Sequence, residues 1–264
     1  MLPRVNLIRG DGSDYLLFAT NDLISTSIYK TGKWADHLVR ISSLLIDGLS
    51  APLILDIGAN LGAYMIPLAK ILDKTGGEII GFEPQRIVFY QLCGNIVLNR
   101  LENCQACNVA IGDSDGFVEI PEIDYQSNGN VGAFSLQQEY RIREGVEGSM
   151  KSKTTKIEMK SLDSLNLSKS PALIKMDVEG YEINVIKGGS EFLKRHHFPP
   201  ILFEAWTGAW FESRRKELFE EISRLGYRID AIGGADYLAQ HPQNSPSLCF
   251  SVKEGGGVHI SRGH

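Results

Sequence analysis

Short apolar runs followed by amphipathic stretches recur through the middle of the chain. The run at residues 53–55, Leu-Ile-Leu, is typical of a strand buried on both faces. Residues 65–72 then carry apolar side chains at helical spacing, which predicts a helix directly after that strand. Strands that alternate with helices form a parallel sheet with helices on both faces. The further predicted strands are residues 78–82, 105–111, 117–120, 172–176, 201–203, 227–232 and 248–252, of which the last two form a hairpin that adds an antiparallel edge strand.

The chain outside this pattern is organised differently. Residues 1–50 predict a β-hairpin and a lead-in helix ahead of one α/β domain at 51–252. Within that domain, the segment 124–153 is rich in Ser, Gly and Asn and then in charged residues, so it predicts either a flap or a disordered insertion. Residues 253–264 carry few core-forming side chains and predict a flexible tail.

Composition narrows the classes of partner and compartment. The chain has 264 residues, 43% of them hydrophobic, and a formal net charge of −5, values typical of a globular protein without a polyanionic partner. We therefore expect no nucleic-acid partner. No apolar run approaches the roughly 20 residues that span a bilayer, and residues 1–12 lack the apolar core of a signal peptide. These features predict a cytoplasmic protein without a membrane partner.

The four cysteines do not form a recognisable site. Cys104 and Cys107 make one C-x-x-C pair, but a zinc site of that type needs a second pair of ligands, and the chain has none at such spacing. The pair also lies in a predicted strand and not at a helix start, which argues against a redox role. We therefore predict no metal site.

A glycine turn between the first buried strand and its helix is the first candidate binding element. Asp56 follows the strand, and the turn then carries Gly58, Asn60 and Gly62. A strand, a turn and a helix in this order direct backbone N–H groups and a helix N-terminus at a ligand. The alternative is an ordinary turn that binds nothing.

Acidic residues follow four of the predicted strands. Asp56, Glu83, Asp177 and Glu204 would therefore share the rim of the sheet where ligands of open α/β folds bind. A carboxylate after the second strand can accept hydrogen bonds from both hydroxyls of a ribose, which is the function we predict for Glu83. The alternative for each residue is that it caps the following helix.

Asn60 distinguishes between two classes of nucleotide ligand. A dinucleotide fold has a glycine at this position so that the backbone can approach a pyrophosphate. Because Asn60 replaces that glycine, the turn favours a ligand without a pyrophosphate, such as S-adenosyl-L-methionine. An NAD-type oxidoreductase is the alternative enzyme class.

The chain resembles FkbM-family methyltransferases, a class I S-adenosylmethionine-dependent group. The resemblance covers most of residues 15–252, and the run around Asp177 is its most specific part. The matching segments are L-D-I-G-A-N-L-G (55–62), G-F-E-P (81–84), N-I-V-L-N (95–99), N-V-A-I-G-D (108–113), I-K-M-D-V-E-G-Y-E (174–182), V-I-K-G-G (185–189) and I-L-F-E (201–204). The family's G-x-W/Y-E segment is matched less well, since Ala35 and Asp36 stand where its acidic residue usually falls.

The resemblance implies a seven-stranded Rossmann-like sheet whose last strand is antiparallel. It also implies that Gly58, Asn60 and Gly62 hold the methionine part of the cofactor, Glu83 the ribose and the turn from Ala110 the adenine. We count Asp56 and Asp177 among the predicted cofactor-binding residues as well. Family members are generally associated with O-methylation of natural products or saccharides, and some act on nitrogen.

Methyl transfer to a hydroxyl requires a positioned acceptor and benefits from a base. Asp177 is our first candidate for this base or for an orienting group, with Glu179 beside it; the alternative is that both stabilise the following helix. Lys175 can pair with one of them, and Glu182 is expected to be structural. His37 is a weaker catalytic candidate, because a lone histidine on a helix is usually an ordinary residue.

We therefore predict an S-adenosylmethionine-dependent methyltransferase that acts on a hydroxyl of a small molecule or glycan. The alternatives are N-methylation of an amide or amine, an NAD-type oxidoreductase, and a binding module that has lost activity. Trp206, Trp210 and Phe211 form either a wall against the acceptor or a packed loop. A homo-oligomer is possible, and the sequence does not define the acceptor.

Overall fold

The computed structural model describes residues 4–10, 12–19, 22–124, 134–143, 149–244, 248–252 and 258–262. In chain order, the first elements are β1 (Val5–Arg9), β2 (Asp14–Phe18), α1 (Leu23–Thr31), α2 (Asp36–Ile46), β3 (Leu53–Ile57), α3 (Met65–Asp73), β4 (Glu78–Phe82), α4 (Arg86–Leu98), β5 (Cys104–Cys107), β6 (Ala110–Gly112) and β7 (Gly116–Ile123). The elements that follow are α5 (Gln138–Arg143), β8 (Met150–Ser161), β9 (Pro171–Met176), α6 (Glu182–Lys187), α7 (Ser190–Arg195), β10 (Ile201–Glu204), α8 (Glu212–Arg224), β11 (Arg228–Gly233), β12 (Asp236–Gln240), β13 (Leu248–Val252) and β14 (Val258–Arg262).

The central sheet has seven strands in the order β11-β12-β10-β9-β3-β4-β5. β3 pairs in parallel with β4 and β9, and the parallel pairing continues to β5 on one side and to β10 on the other. β12 runs antiparallel to both β10 and β11. The predicted Rossmann-like, mostly parallel sheet with an antiparallel last strand is therefore confirmed.

The antiparallel strand is formed by other residues than predicted. It is β12, which lies between β10 and β11 and not at the edge of the sheet, so the hairpin partner of β11 is β12. The predicted strand 248–252 is β13 and lies in a separate two-stranded sheet with β14. Gly233 and Gly234 have φ angles of 140° and 58°, which let the chain reverse directly after β11. The predicted tail therefore contains a strand at Val258–Arg262, while residues 253–257 and 263–264 lie outside the described part of the chain.

The predicted third strand, residues 105–111, is in fact two strands in two sheets. β5 is the edge of the central sheet, and β6 belongs to a three-stranded sheet of order β6-β8-β7. The predicted flap at 124–153 contains α5 and the start of β8, which pairs with β7 from Gly116 opposite Met159 to Ile123 opposite Met150. Its Ser/Gly/Asn-rich part, residues 125–133, lies outside the described residues.

Alternation along the buried strands divides the core between the two faces of the sheet. Leu55 of β3 faces α6 and α8, where it joins Ile183 and Leu218 in one hydrophobic cluster. Ile54 faces the opposite side and joins Leu68 of α3 in a second cluster. Because successive strand side chains point to opposite faces, the apolar run of β3 serves both clusters.

The predicted N-terminal hairpin is present as β1 and β2, paired antiparallel. Polar side chains of α4 attach it to the central domain. Asn95 accepts a hydrogen bond from the backbone N–H of Leu16 at 2.6 Å, and Gln91 donates to the carbonyl of Leu16 at 2.8 Å. Asn95 also donates to the carbonyl of Leu61 at 2.8 Å, so the hairpin is connected to the glycine turn through one buried side chain.

Candidate active site

A cavity of about 290 Å³ opens at the carboxyl ends of β3, β4, β9 and β10. This is the edge of an open α/β sheet where ligands bind. The N-terminal segment contributes to its wall through Trp34, Ala35, His37 and Leu38. The rest of the lining includes Gly58, Asn60, Tyr64, Glu83, Val109, Ala110, Ile111, Phe134, Leu136, Lys175, Asp177, Glu179, Glu204 and Asp236.

Gly58 and Asn60 of the glycine turn line the cavity. Gly58 has a φ of 85°, and a Cβ at this position would overlap the carbonyl oxygen of Asp177. Asn60 also has a left-handed φ, 49°, a conformation that asparagine tolerates better than most residues. Gly62 (φ 92°) is outside the cavity, where a Cβ would meet side chains of Leu92 and Ile66 at 2.9 and 3.0 Å. Gly62 therefore allows close packing beneath the turn.

Glu83 connects the glycine turn to the end of β4. Its side chain is 4% exposed, and its two carboxylate oxygens accept the backbone N–H groups of Asn60 at 3.0 Å and Gln85 at 2.8 Å. Burial raises the pKa of Glu83 to about 7, although the two N–H donors oppose the shift. Each oxygen keeps a further lone pair, so the carboxylate can accept two hydroxyl hydrogen bonds from a ligand.

The cavity that Glu83 lines also has an apolar wall. Val109, Ala110 and Ile111 come from the turn into β6, while Phe134 and Leu136 come from the segment before α5. Asn108 positions this turn by donating to the carbonyls of Glu83 and Pro84 at 2.8 and 3.0 Å. A carboxylate next to an apolar slot suits a nucleoside, since the ribose and the base need opposite environments.

Lys175 joins the glycine turn to the loop after β9. Its Nζ lies 3.1 Å from Oδ1 of Asp56 and 3.5 Å from Oδ2 of Asp177, and it donates to the carbonyl of Gly58 at 3.1 Å. Burial lowers the pKa of Lys175, but the charges of Asp56 and Asp177 more than offset it, so the net shift is upward. Asp56 is fully buried within β3 and does not line the cavity. Its predicted contact with the cofactor therefore does not fit this geometry, and it instead holds Lys175.

Backbone strain and a buried carboxylate shape the loop after Asp177. Glu179 has a φ of 55°, unusual for a residue other than glycine, and its side chain faces the cavity. Glu182 is 2% exposed and accepts the N–H groups of Val178 and Gly180 at 3.0 and 3.3 Å. Burial raises the pKa of Glu182 to about 7. Because Glu182 is outside the cavity, its structural role follows as expected from the sequence.

A second group of ionisable residues lies at the other end of the cavity. Glu204 at the end of β10 stands opposite Asp236 of β12 in the antiparallel pairing. Burial and then the nearby charges of Asp177, Glu182 and Asp236 raise the pKa of Glu204 to about 9. Nε2 of His37 lies 2.7 Å from Oδ2 of Asp236, and this hydrogen bond raises the pKa of His37.

The aromatic residues after β10 pack together and do not line the cavity. Trp206, Trp210 and Phe211 surround Tyr140 of α5, with ring centroids 5.3, 5.7 and 5.6 Å from its own. A Cβ on Gly180 would approach the Tyr140 ring at 2.7 Å, so this cluster covers the loop after Asp177. These residues therefore form the packed loop, and not the wall against the acceptor, that the sequence left as alternatives.

The cavity therefore brings together most of the residues singled out in the sequence. Among the predicted catalytic and cofactor-binding residues, Asp56 and Gly62 are the exceptions. Asp236 was not predicted as a site residue, because it falls in a segment predicted as a loop. The Gly233-Gly234 pair just before it is a turn signal that could have indicated a strand at Asp236. Lys175 was expected only as an ion-pair partner, and its bond to Gly58 depends on the tertiary fold.

The structure offers no support for a metal centre or a membrane span in its described residues. Among them, no group of three or more His, Cys, Asp or Glu side chains could hold a metal ion. Cys104 and Cys107 are free thiols on β5. Within the same residues, no helix is long and apolar enough to cross a membrane.

Comparison with known proteins gives a consistent result. Residues 56–229 match the model of the methyltransferase FkbM domain. The methyltransferase sdnD of Sordaria araneosa is 26% identical over 241 residues, which cover 81% of this chain and 87% of that protein.

Two solved structures are similar at a lower level. A methyltransferase FkbM from Methylobacillus flagellatus KT is 17% identical with a TM-score of 0.46, covering 74% of this chain and 46% of that one. A Pyrococcus abyssi tRNA (uracil-54, C5)-methyltransferase, solved with S-adenosyl-L-homocysteine, is also 17% identical with a TM-score of 0.46, covering 89% of this chain and 43% of that one. The chain thus spans less than half of the length of either structure.

Proposed function

Because the chain belongs to the FkbM family of S-adenosylmethionine-dependent methyltransferases, we propose that its cavity binds S-adenosyl-L-methionine. We propose further that the protein methylates a hydroxyl of a small molecule or saccharide. The observation that carries this proposal is the pair of environments around Glu83. The carboxylate suits the two ribose hydroxyls, and the slot lined by Val109, Ala110 and Ile111 suits the adenine. The NAD-type and non-catalytic alternatives have no comparable support.

Other residues in and around the cavity would bind or position the remaining parts of the cofactor and the acceptor. Gly58 and Asn60 would hold the methionine part of the cofactor, since both line the cavity at the glycine turn. The end of the cavity that Glu204, Asp236 and His37 line would receive the acceptor, and we call it the acceptor end. Asp177 borders both this end and the glycine turn, so it would contact both ligands. S-Adenosylmethionine supplies an electrophilic methyl group bound to a sulfonium. Asp56 would act from outside the cavity, by fixing Lys175 beneath Gly58 and Asp177.

The acceptor end supports a neutral hydroxyl compound. Asp177, Glu179 and Asp236 line it together with Glu204, which is uncharged at neutral pH, and Lys175 is already paired with Asp56. A phosphate or carboxylate on the acceptor would therefore meet like charges. The same carboxylates could also receive a cationic amine, which makes N-methylation the second candidate.

Methyl transfer can be tested with a deuterated methyl donor. The protein is incubated with S-adenosylmethionine carrying CD₃ and with separate pools of hydroxylated small molecules, saccharides and amines. We expect a labelled product from a hydroxylated pool, detected by mass spectrometry as the mass gain of that methyl group. Glu83→Gln should abolish most of the signal, whereas Glu158→Gln, a surface residue paired with Lys160, should keep it. Label found only in amines would establish N-methylation, and no label in any pool would contradict the proposal.

A further inference from the structure

One hydrogen bond at the acceptor end joins residues 199 positions apart in the chain. His37 lies in the first turn of α2, and its Nε2 is 2.7 Å from Oδ2 of Asp236 on β12. Ala35 precedes the helix with a left-handed φ of 51° and turns the chain into the cavity wall. Both partners of this hydrogen bond line the cavity.

The carboxylate determines which ring nitrogen of His37 can accept a proton. When Nε2 carries the hydrogen and donates it to Asp236, the neutral ring has its lone pair on Nδ1. A carboxylate that fixes the tautomer in this way also stabilises the imidazolium that forms on protonation. The pair is thus arranged to take up a proton at Nδ1.

Asp177 and Glu204, which line the same end of the cavity, are less suited to this task. Asp177 shares the ammonium of Lys175 with Asp56, so its Oδ2 lies 3.5 Å from a positive charge that disfavours proton uptake. Glu204, with a pKa of about 9, already carries a proton at neutral pH and so cannot serve as the base there. The sequence favoured Asp177 as the base, whereas the geometry favours His37.

We propose that His37 is the general base for the acceptor hydroxyl and that Asp236 is the residue that positions it. This inference rests on the proposed function. As the acceptor oxygen forms its bond to the methyl carbon, its proton passes to Nδ1 of His37, and the electron pair of the broken carbon–sulfur bond stays on sulfur. The positive charge of the sulfonium is thereby replaced by that of the imidazolium, which releases its proton to water after transfer.

Several charged groups face the imidazole and set its titration. Asp236 approaches from β12 and makes the largest contribution, while Asp36 on the same helix acts by its charge alone. Lys33 is 3.7 Å from Asp36 and partly offsets it. Glu204 on β10 faces Asp236 and is neutral until about pH 9. Removing the charge of Asp236 should therefore lower the pKa of His37 more than removing that of Asp36.

The first test measures the imidazole directly and needs no acceptor. We would follow the ¹⁵N-labelled ring of His37 by NMR between pH 5 and 9 in the protein bound to S-adenosylhomocysteine. We expect a pKa above that of an ordinary histidine, with the proton of the neutral ring on Nε2. Asp236→Asn should lower the pKa, and the matched variant Asp36→Asn should change it less. A neutral ring protonated on Nδ1, or an unchanged pKa in Asp236→Asn, would overturn the assignment of Asp236.

The second test measures methyl transfer to the acceptor pool that the wild-type protein labels. His37→Ala should reduce the rate by about 100-fold or more, the usual contribution of a general base, and added imidazole should restore part of it. Asp236→Asn should move the acidic limb of the rate profile to lower pH. A fully active His37→Ala variant would refute the base while leaving the proposed function intact; failure of the wild-type protein to label any pool would refute the proposed function itself. Circular dichroism of each variant identifies any that fail to fold. If His37→Ala fails to fold, the conservative variant His37→Gln takes its place in the assay.

Discussion

Protonation of Glu83 should weaken nucleoside binding, because a neutral carboxyl group loses an acceptor site for the ribose hydroxyls. Burial raises the pKa of Glu83 to about 7, so this protonation occurs close to neutral pH. Hydroxyl donors stabilise the ionised form, so binding of the nucleoside should lower the pKa of Glu83 and release a proton. The apparent affinity therefore falls as the pH is lowered through 7, and it is constant well above 7.

The size of the effect follows from the fraction of Glu83 that is ionised. If only the ionised form binds, the apparent dissociation constant is the intrinsic one divided by that fraction. With a pKa of about 7, the constant at pH 5.5 should exceed that at pH 8 by roughly 30-fold. Glu83→Gln should bind about 10- to 100-fold more weakly at pH 8, since hydrogen bonds to a charged group contribute about 1.5–3 kcal/mol.

Calorimetric titration with 5′-methylthioadenosine isolates this effect, because the probe contains the ribose and the adenine but no titrating amino-acid group. The wild-type protein should show the full dependence on pH, and Glu83→Gln should show almost none. Glu182→Gln is the matched comparison: Glu182 has a similar pKa of about 7 but lies outside the cavity, so its variant should keep the dependence. A flat profile in the wild-type protein, or a pH-dependent one in Glu83→Gln, would refute the proposed contact between Glu83 and the ribose.

Three further predictions concern the stability of the site. Gly58→Ala should lower the free energy of unfolding by more than about 3 kcal/mol, because its Cβ would overlap the carbonyl of Asp177; the control Gly48→Ala, with a φ of 80° and open space around it, should lose only about 1 kcal/mol in the same urea titration. Lys175→Met should cost about 3–5 kcal/mol by leaving Asp56 buried without its cation, and adding Asp56→Asn should recover part of this loss. Because the pKa of Glu204 is raised from 4.5 to about 9 in the folded protein, its contribution to the melting temperature should fall as the pH rises from about 4.5 towards 9 and should level off above 9, and Glu204→Gln should flatten that fall.

The architecture was predictable from the sequence because its signals are local. The apolar run of β3 and the glycine turn after it need only neighbouring residues to specify a buried strand and a tight turn. The antiparallel strand was misplaced for the same reason. β12 reads Asp-Tyr-Leu-Ala-Gln, a short and partly polar segment after two glycines, and its strand state depends on pairing with β10 on one side and β11 on the other.

The acceptor end was much less predictable, because it depends on residues far apart in the chain. His37 and Asp236 carry no recognisable motif, and each looks like an ordinary surface residue beside its own neighbours. The protonation behaviour of Glu204 was likewise not predictable from the sequence. Its position after a strand was visible in the sequence, but its raised pKa requires burial and the approach of three other carboxylates from separate elements. Such a property arises only when the chain is folded.

The N-terminal segment completes the site in this arrangement. The predicted division at residue 50 separates His37 from Asp236, although the two side chains are hydrogen-bonded across one cavity. Trp34 lines the same wall, and Asn95 connects the N-terminal hairpin to the glycine turn through the backbone of Leu16 and Leu61. Residues 51–252 alone would therefore keep Glu83 and the apolar slot proposed for the adenine, but they would lose one wall of the acceptor end. Cofactor binding and acceptor chemistry thus depend on different parts of the chain, which is why variants of Glu83 and His37 can separate the two functions.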